Sequence, residues 1–161
     1  MRFTNKKGIS PVIATILLIL ITVAAVTIIW AAIIPMIKDK TATSTACYDA
    51  TSRLTIDTQS GFTCINSTNH TMINVQRSAG GSSTFTYAGL QLTFIKSDGS
   101  SVSVEKSAAD VPSENGAKVY TFTSVQTGNS TKVSIAPILA IGNTKKLCDA
   151  VVTVSIPACN A

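Results

Sequence analysis

The chain has 161 residues, of which 45% are apolar, 13% charged and 6% aromatic, and its formal net charge is +5. Nucleic-acid binding finds no support, because neither a basic stripe nor interleaved aromatics accompany the positive charge, and the length leaves about 120 residues beyond the apolar segment, enough for one modest core. Three of the thirteen cations, Arg2, Lys6 and Lys7, precede residue 8, so a chain beginning at Ile9 would carry ten positive against eight negative side chains.

Behind that basic leader, residues 8–37 form thirty consecutive positions without a charge. A helix over Ile9–Ile37 would run about 44 Å at 1.5 Å per residue, longer than the roughly 30 Å hydrocarbon layer of a bilayer. The run is too long for the h-region of an ordinary secretory signal and has no A-x-A site with a polar start behind it. The one small-residue junction beside a charge is Lys7-Gly8-Ile9, on the leader side of the apolar run. Cleavage there removes the charges and leaves the helix on the mature protein. The leader's cations place the N-terminus in the cytoplasm and everything beyond the helix outside. Trp30 suits a membrane interface, Pro35 is expected to kink or end the helix, and Pro11 fits a first helical turn.

The segment Lys6-Lys7-Gly8-Ile9-Ser10-Pro11-Val12-Ile13-Ala14-Thr15-Ile16-Leu17-Leu18 resembles the class III signal peptide of archaeal type IV pilins. The resemblance covers roughly the first 35 residues and implies that a prepilin peptidase recognises Lys6, Lys7 and Gly8 and cuts before Ile9. It further implies that the retained helix becomes the core of a filament, a homopolymer built by pilus assembly machinery. Bacterial type IV pilins carry a glutamate near the helix start, whereas no acidic residue precedes Asp39 here, which favours the archaeal branch. Archaeal flagellins share the cleavage logic but commonly begin with a G-I-G-like start that this chain lacks, so an archaellin-like motility subunit ranks second. A single-span surface protein whose head binds a ligand and never polymerises is the alternative from another class.

Beyond the apolar run, Lys38-Asp39-Lys40 and the Thr/Ser-rich stretch to Ala46 read as a polar hinge over residues 38–46, with a head domain over 47–161. Alternation of period two marks eight short strands, within 53–57, 71–76, 85–88, 90–95, 102–105, 118–123, 132–135 and 151–156, with Asp98-Gly99 as a hairpin turn. The expected fold is therefore α+β: a long hydrophobic N-terminal helix followed by a small antiparallel β-sandwich or barrel-like head. Four cysteines, Cys47, Cys64, Cys148 and Cys159, all fall in the head. An even count outside the membrane suits two disulfides. Of the three possible pairings the local one, Cys47 with Cys64 and Cys148 with Cys159, is expected, as it staples the two ends of the head.

Three N-x-[ST] sequons offer glycosylation at Asn66, Asn69 and Asn129, all in polar stretches or turns of the exterior domain. Catalysis finds no constellation. His70 is the sole histidine, the carboxylates are scattered without a calcium-loop pattern, and no Cys or His spacing fits a metal. No enzymatic activity, cofactor or metal is expected. The reading is a structural subunit of a cell-surface filament serving adhesion, membrane-inserted before assembly and extracellular afterwards.

Overall fold

The computed structural model describes residues 11–68, 70–80, 85–150 and 152–159. The chain divides into two compact units, the first ending at Ala42 and the second beginning at Thr43. Its class is α+β as expected, one long apolar N-terminal helix and then antiparallel sheets that curl into a half-barrel head.

Helix α1 spans Pro11–Ser52, 42 residues, or about 63 Å. Proline at its first position costs no hydrogen bond, since that N–H has no partner inside a helix. The hydroxyls along the apolar stretch are turned back onto the backbone, Thr15 donating to the Val12 carbonyl, Thr22 to Ile19 and Thr27 to Ala24, each at 2.9 Å. Among the described residues of this stretch, these three hydroxyls are thus satisfied without water. The helix does not end at Pro35 but runs on through it. The division between the two units falls within residues 38–46, as expected, but the backbone there is helical throughout and not a hinge loop. That continuity has a packing cause at its far end: Ala46 and Ala50, one turn apart, are buried with Leu139 and Cys148. Tertiary contact overrides the weak helix preference of the Thr/Ser stretch. Two of the last carbonyls of α1, which lack helical donors, accept from side chains: Asp49 from the Ser52 hydroxyl and Ala50 from the Tyr87 hydroxyl, at 2.9 and 3.0 Å.

In the head the strands follow as β1 (Leu54–Ile56), β2 (Cys64–Ile65), β3 (Thr71–Arg77), β4 (Thr86–Lys96), β5 (Ser101–Ser107), β6 (Gly116–Phe122), β7 (Ser130–Ile141), β8 (Thr144–Leu147) and β9 (Thr153–Ser155). A four-residue helix, α2 (Ser124–Thr127), precedes β7. In the first sheet β3 pairs with β6 over its full length, while β1 and β2 divide its other edge between them. The second sheet has the order β5-β4-β7, and β8 and β9 likewise divide the free edge of β7. Pro137 sits in the middle of β7. Its carbonyl accepts from the Cys148 N–H at 3.0 Å, so the side lacking a donor faces the β8/β9 edge and the ladder to β4 loses nothing.

The sheets face each other across one core. Leu54, Ile56, Ile73, Val75 and Phe122 come from the first, and Leu90, Leu92, Phe94, Val133 and Ile135 from the second. A register shift between Tyr87 and Gly89 makes β4 a single bulged strand where two short ones, 85–88 and 90–95, were expected. Gly89 is needed there, because a Cβ would lie 2.4 Å from the Lys106 carbonyl of β5. On one side the half-barrel is closed by backbone. Ile65 of β2 donates to Pro157 and accepts from Cys159, both at 2.9 Å, in a parallel bridge. The opposite edges, β5 and β6, are unpaired among the described residues. Lys106 points inward there, its Nζ 4.9 Å from the Phe122 ring, a placement that guards free edges against further strand pairing.

Candidate functional site

The most distinctive surface of the chain is the first part of α1. Every large apolar side chain from Val12 to Ile37 is exposed, from 36% at Ile34 to 70% at Ile28. The helix has no polar face, so one-sided docking on a soluble core cannot satisfy it. By length and composition it can cross a membrane. The expected processing residues Lys6, Lys7, Gly8 and Ile9 lie outside the described residues, so their geometry does not enter.

Both disulfides form, with a pairing that corrects the expected one: Cys47–Cys148 and Cys64–Cys159. Neither is local, their sequence separations being 101 and 95. The first ties α1 to the chain just beyond β8, and the second reinforces the parallel bridge between β2 and the C-terminal segment. Spacing along the chain could not reveal this. Which cysteines meet depends on β7 carrying its far end back to α1 and on the terminal segment returning past β2. Two disulfides in the head are compatible with an oxidising, non-cytosolic compartment.

Asn66 is half-buried, and its side-chain oxygen accepts from the Thr68 N–H, the Thr68 hydroxyl and the His70 N–H at 3.1, 2.8 and 2.8 Å. Asn69 lies outside the described residues. Asn129 is exposed in the bend before β7. His70 contacts the Thr68 hydroxyl through Nδ1 at 3.0 Å, and no group of three metal-binding side chains occurs among the described residues.

Sequence reasoning did not single out the polar cluster at the helix-sheet junction. Asp49 and Arg53, four residues apart, form an ion pair at 2.7 Å, and Arg53 also donates to the Ala79 carbonyl. The bond to Asp49 raises the Arg53 pKa further. Arg77 stacks 4.4 Å from the centre of the Tyr87 ring and pairs with Glu114 at 3.1 Å, while burial pushes the Tyr87 hydroxyl up. The i,i+4 spacing of Asp49 and Arg53 was the available signal. A cleft of about 380 Å³ opens beside these groups, flanked by Gly80 and Phe85. Both guanidinium groups hold ion pairs within the chain, while the buried Arg77 Nε has no hydrogen-bond partner among the described residues.

A second polar knot orders the loop after β1. The Asp57 carboxylate accepts from the Gln59 and Ser60 N–H groups at 2.9 and 3.2 Å and from the Gln76 and Asn74 amides at 2.8 and 3.3 Å. These bonds, the Gln59 backbone donor foremost, hold its pKa below the usual carboxylate range. A carboxyl depressed in the folded state contributes stability that is complete above its unfolded pKa, near 3.9, and is lost as pH falls through its folded value. The urea midpoint of the wild-type chain should therefore drop as the pH is taken below about 4. In Asp57→Asn that acid limb should be shallower, with Asp98 and Asp110, depressed in the same direction, contributing to the slope that remains.

Compared with protein-family models, with curated proteins and with solved structures, the chain gives no match in any of the three. The functional reading therefore rests on the chain's own residues and on the resemblance of its first segment.

Proposed function

We propose that the protein is the structural subunit of a type IV pilus-like filament of the archaeal kind, polymerised through α1 and exposing the β-rich head for adhesion. The observation that carries this reading is the unburied, uncharged surface from Val12 to Ile37, which must be covered on all sides. Lipid covers it before assembly, and identical helices cover it afterwards. Its small residues, Ala24, Ala25, Ala31 and Ala32 among them, permit close helix approach. The Lys6-Lys7-Gly8 junction supplies the cleavage that would release such a helix from its charged leader. The partners are further copies of this chain, the membrane, a prepilin peptidase and the assembly machinery.

Intact mass and N-terminal sequencing of protein sheared from the cell surface test this. The expected start is Ile9, and Gly8→Leu should leave uncleaved precursor in the membrane. A surface protein beginning at Met1 would replace the filament reading with a single-span anchor carrying a binding head.

A further inference from the structure

The three sequons are equal in sequence and unequal in the folded head. An N-x-[ST] motif has two working ends, the asparagine amide that becomes the acceptor and the hydroxyl two residues on, and a transferring enzyme must reach both. In Asn66-Ser67-Thr68 the ends are bound to each other. Thr68 Oγ1 donates to Asn66 Oδ1 at 2.8 Å, and that oxygen also takes the N–H groups of Thr68 and His70. The adjacent Ile65 is held in the bridge to Pro157 and Cys159, beside the Cys64–Cys159 disulfide. In Asn69-His70-Thr71 the hydroxyl end is lost, since Thr71 is 1% exposed and its Oγ1 lies 3.1 Å from Thr127 Oγ1. In Asn129-Ser130-Thr131 both ends are exposed, and neither the Asn129 amide nor the Thr131 hydroxyl is engaged by another described residue. The middle residue, Ser130, is buried and donates to the Thr127 carbonyl, so the bend that presents the motif is fixed from below.

We propose that Asn129 is the N-glycan acceptor of the folded head and that Asn66 and Asn69 are not. The co-reactant is a lipid-phosphate-linked oligosaccharide. Asn129 Nδ2 attacks the anomeric carbon, the bond from that carbon to the phosphate oxygen breaks, the lipid phosphate leaves with the bonding pair, and the amide gives up one proton. The site also lies away from the contact that Leu139 makes with the end of α1. Asn129 precedes β7, and Leu139, which packs on Ala46 and Ala50, lies ten residues further along, about 30 Å of extended strand away. A glycan at Asn129 therefore stands clear of the helix contact.

The test is glycopeptide mapping and intact mass of the full chain recovered from the surface of cells that produce it, as wild type, N129Q, T131A and N66Q. The expected result is one glycan, lost completely in N129Q and in T131A and unchanged in N66Q. T131A leaves Asn129 in place, so loss in that variant shows that transfer depends on the motif. A glycan mapped to Asn66 or Asn69, one that persists in T131A, or none on the wild-type chain would overturn the assignment. The first of these is the pattern expected if transfer precedes folding.

Discussion

Replacing all four cysteines with alanine is expected to leave the head unfolded at ambient temperature, whereas replacing one pair should weaken it and leave it folded. The difference follows from the crossed pairing. With one bridge intact, the other closes an effective loop of only about 30 residues, and in the chain-entropy account its loss costs about 3.5 kcal/mol. The remaining bridge then closes a loop of about 100 residues and contributes about 4.7 kcal/mol. Losing both therefore costs about 8 kcal/mol, comparable with the whole stability of a small domain at 5–15 kcal/mol. Local bridges would have enclosed separate short loops whose contributions simply add. Urea unfolding of the detergent-solubilised chain, with Cys47/Cys148 and Cys64/Cys159 removed singly and together, checks this. Losses that add from two equal steps of about 3 kcal/mol would instead favour local loops.

Phe94→Ala is expected to destabilise the head by about 3–5 kcal/mol, the usual cost of emptying an aromatic site that cannot collapse. Phe94 is fully buried near the C-terminal end of β4 and meets Phe122 edge to face, with ring centroids 4.9 Å apart and planes at 67°. That geometry adds about 1 kcal/mol to the area buried, and it is the main aromatic contact between the two sheets. The comparison is Val119→Thr on the outward face of β6, 42% exposed, which should move the midpoint by no more than about 0.5 kcal/mol. Equal losses in the two variants would contradict the assignment of the core.

What could be read from the sequence was what local pattern determines. The apolar run and its charged leader were plain, and the alternation in 71–76, 102–105 and 118–123 marked β3, β5 and β6 nearly where they lie. Pattern failed where geometry at a distance decides. The bulge at Ala88 shifts the phase of β4, so one strand looked like two. β2 has only two residues, too few for any period, and the four residues of β8, Thr144-Lys145-Lys146-Leu147, are all exposed and hold their place by pairing with β7. The far end of α1 stays helical beyond the polar stretch because Ala46 and Ala50 find a surface that only the folded head creates. The cysteine pairing is of the same kind. At the candidate site, the apolar helix surface was visible in sequence, while the difference among the sequons was not, since it depends on hydrogen bonds such as that between Thr71 and Thr127, 56 positions apart.

The claim at the centre of this account is that α1 packs against copies of itself. A small-to-large change separates that from simple anchoring, because lipid accommodates extra methyl groups at no cost while a close helix contact is overpacked by about 1–3 kcal/mol per subunit. The deciding measurement is electron microscopy of the surface fraction from cells expressing the parent chain and the leucine variants of Ala24, Ala25, Ala31 and Ala32, with membrane insertion and processing followed in parallel. Filaments from the parent chain, shortened or abolished in at least one variant that still inserts and is cleaved normally, are the predicted result. A parent chain that stays dispersed in the membrane, with no filament by microscopy or in the sheared fraction, would contradict it.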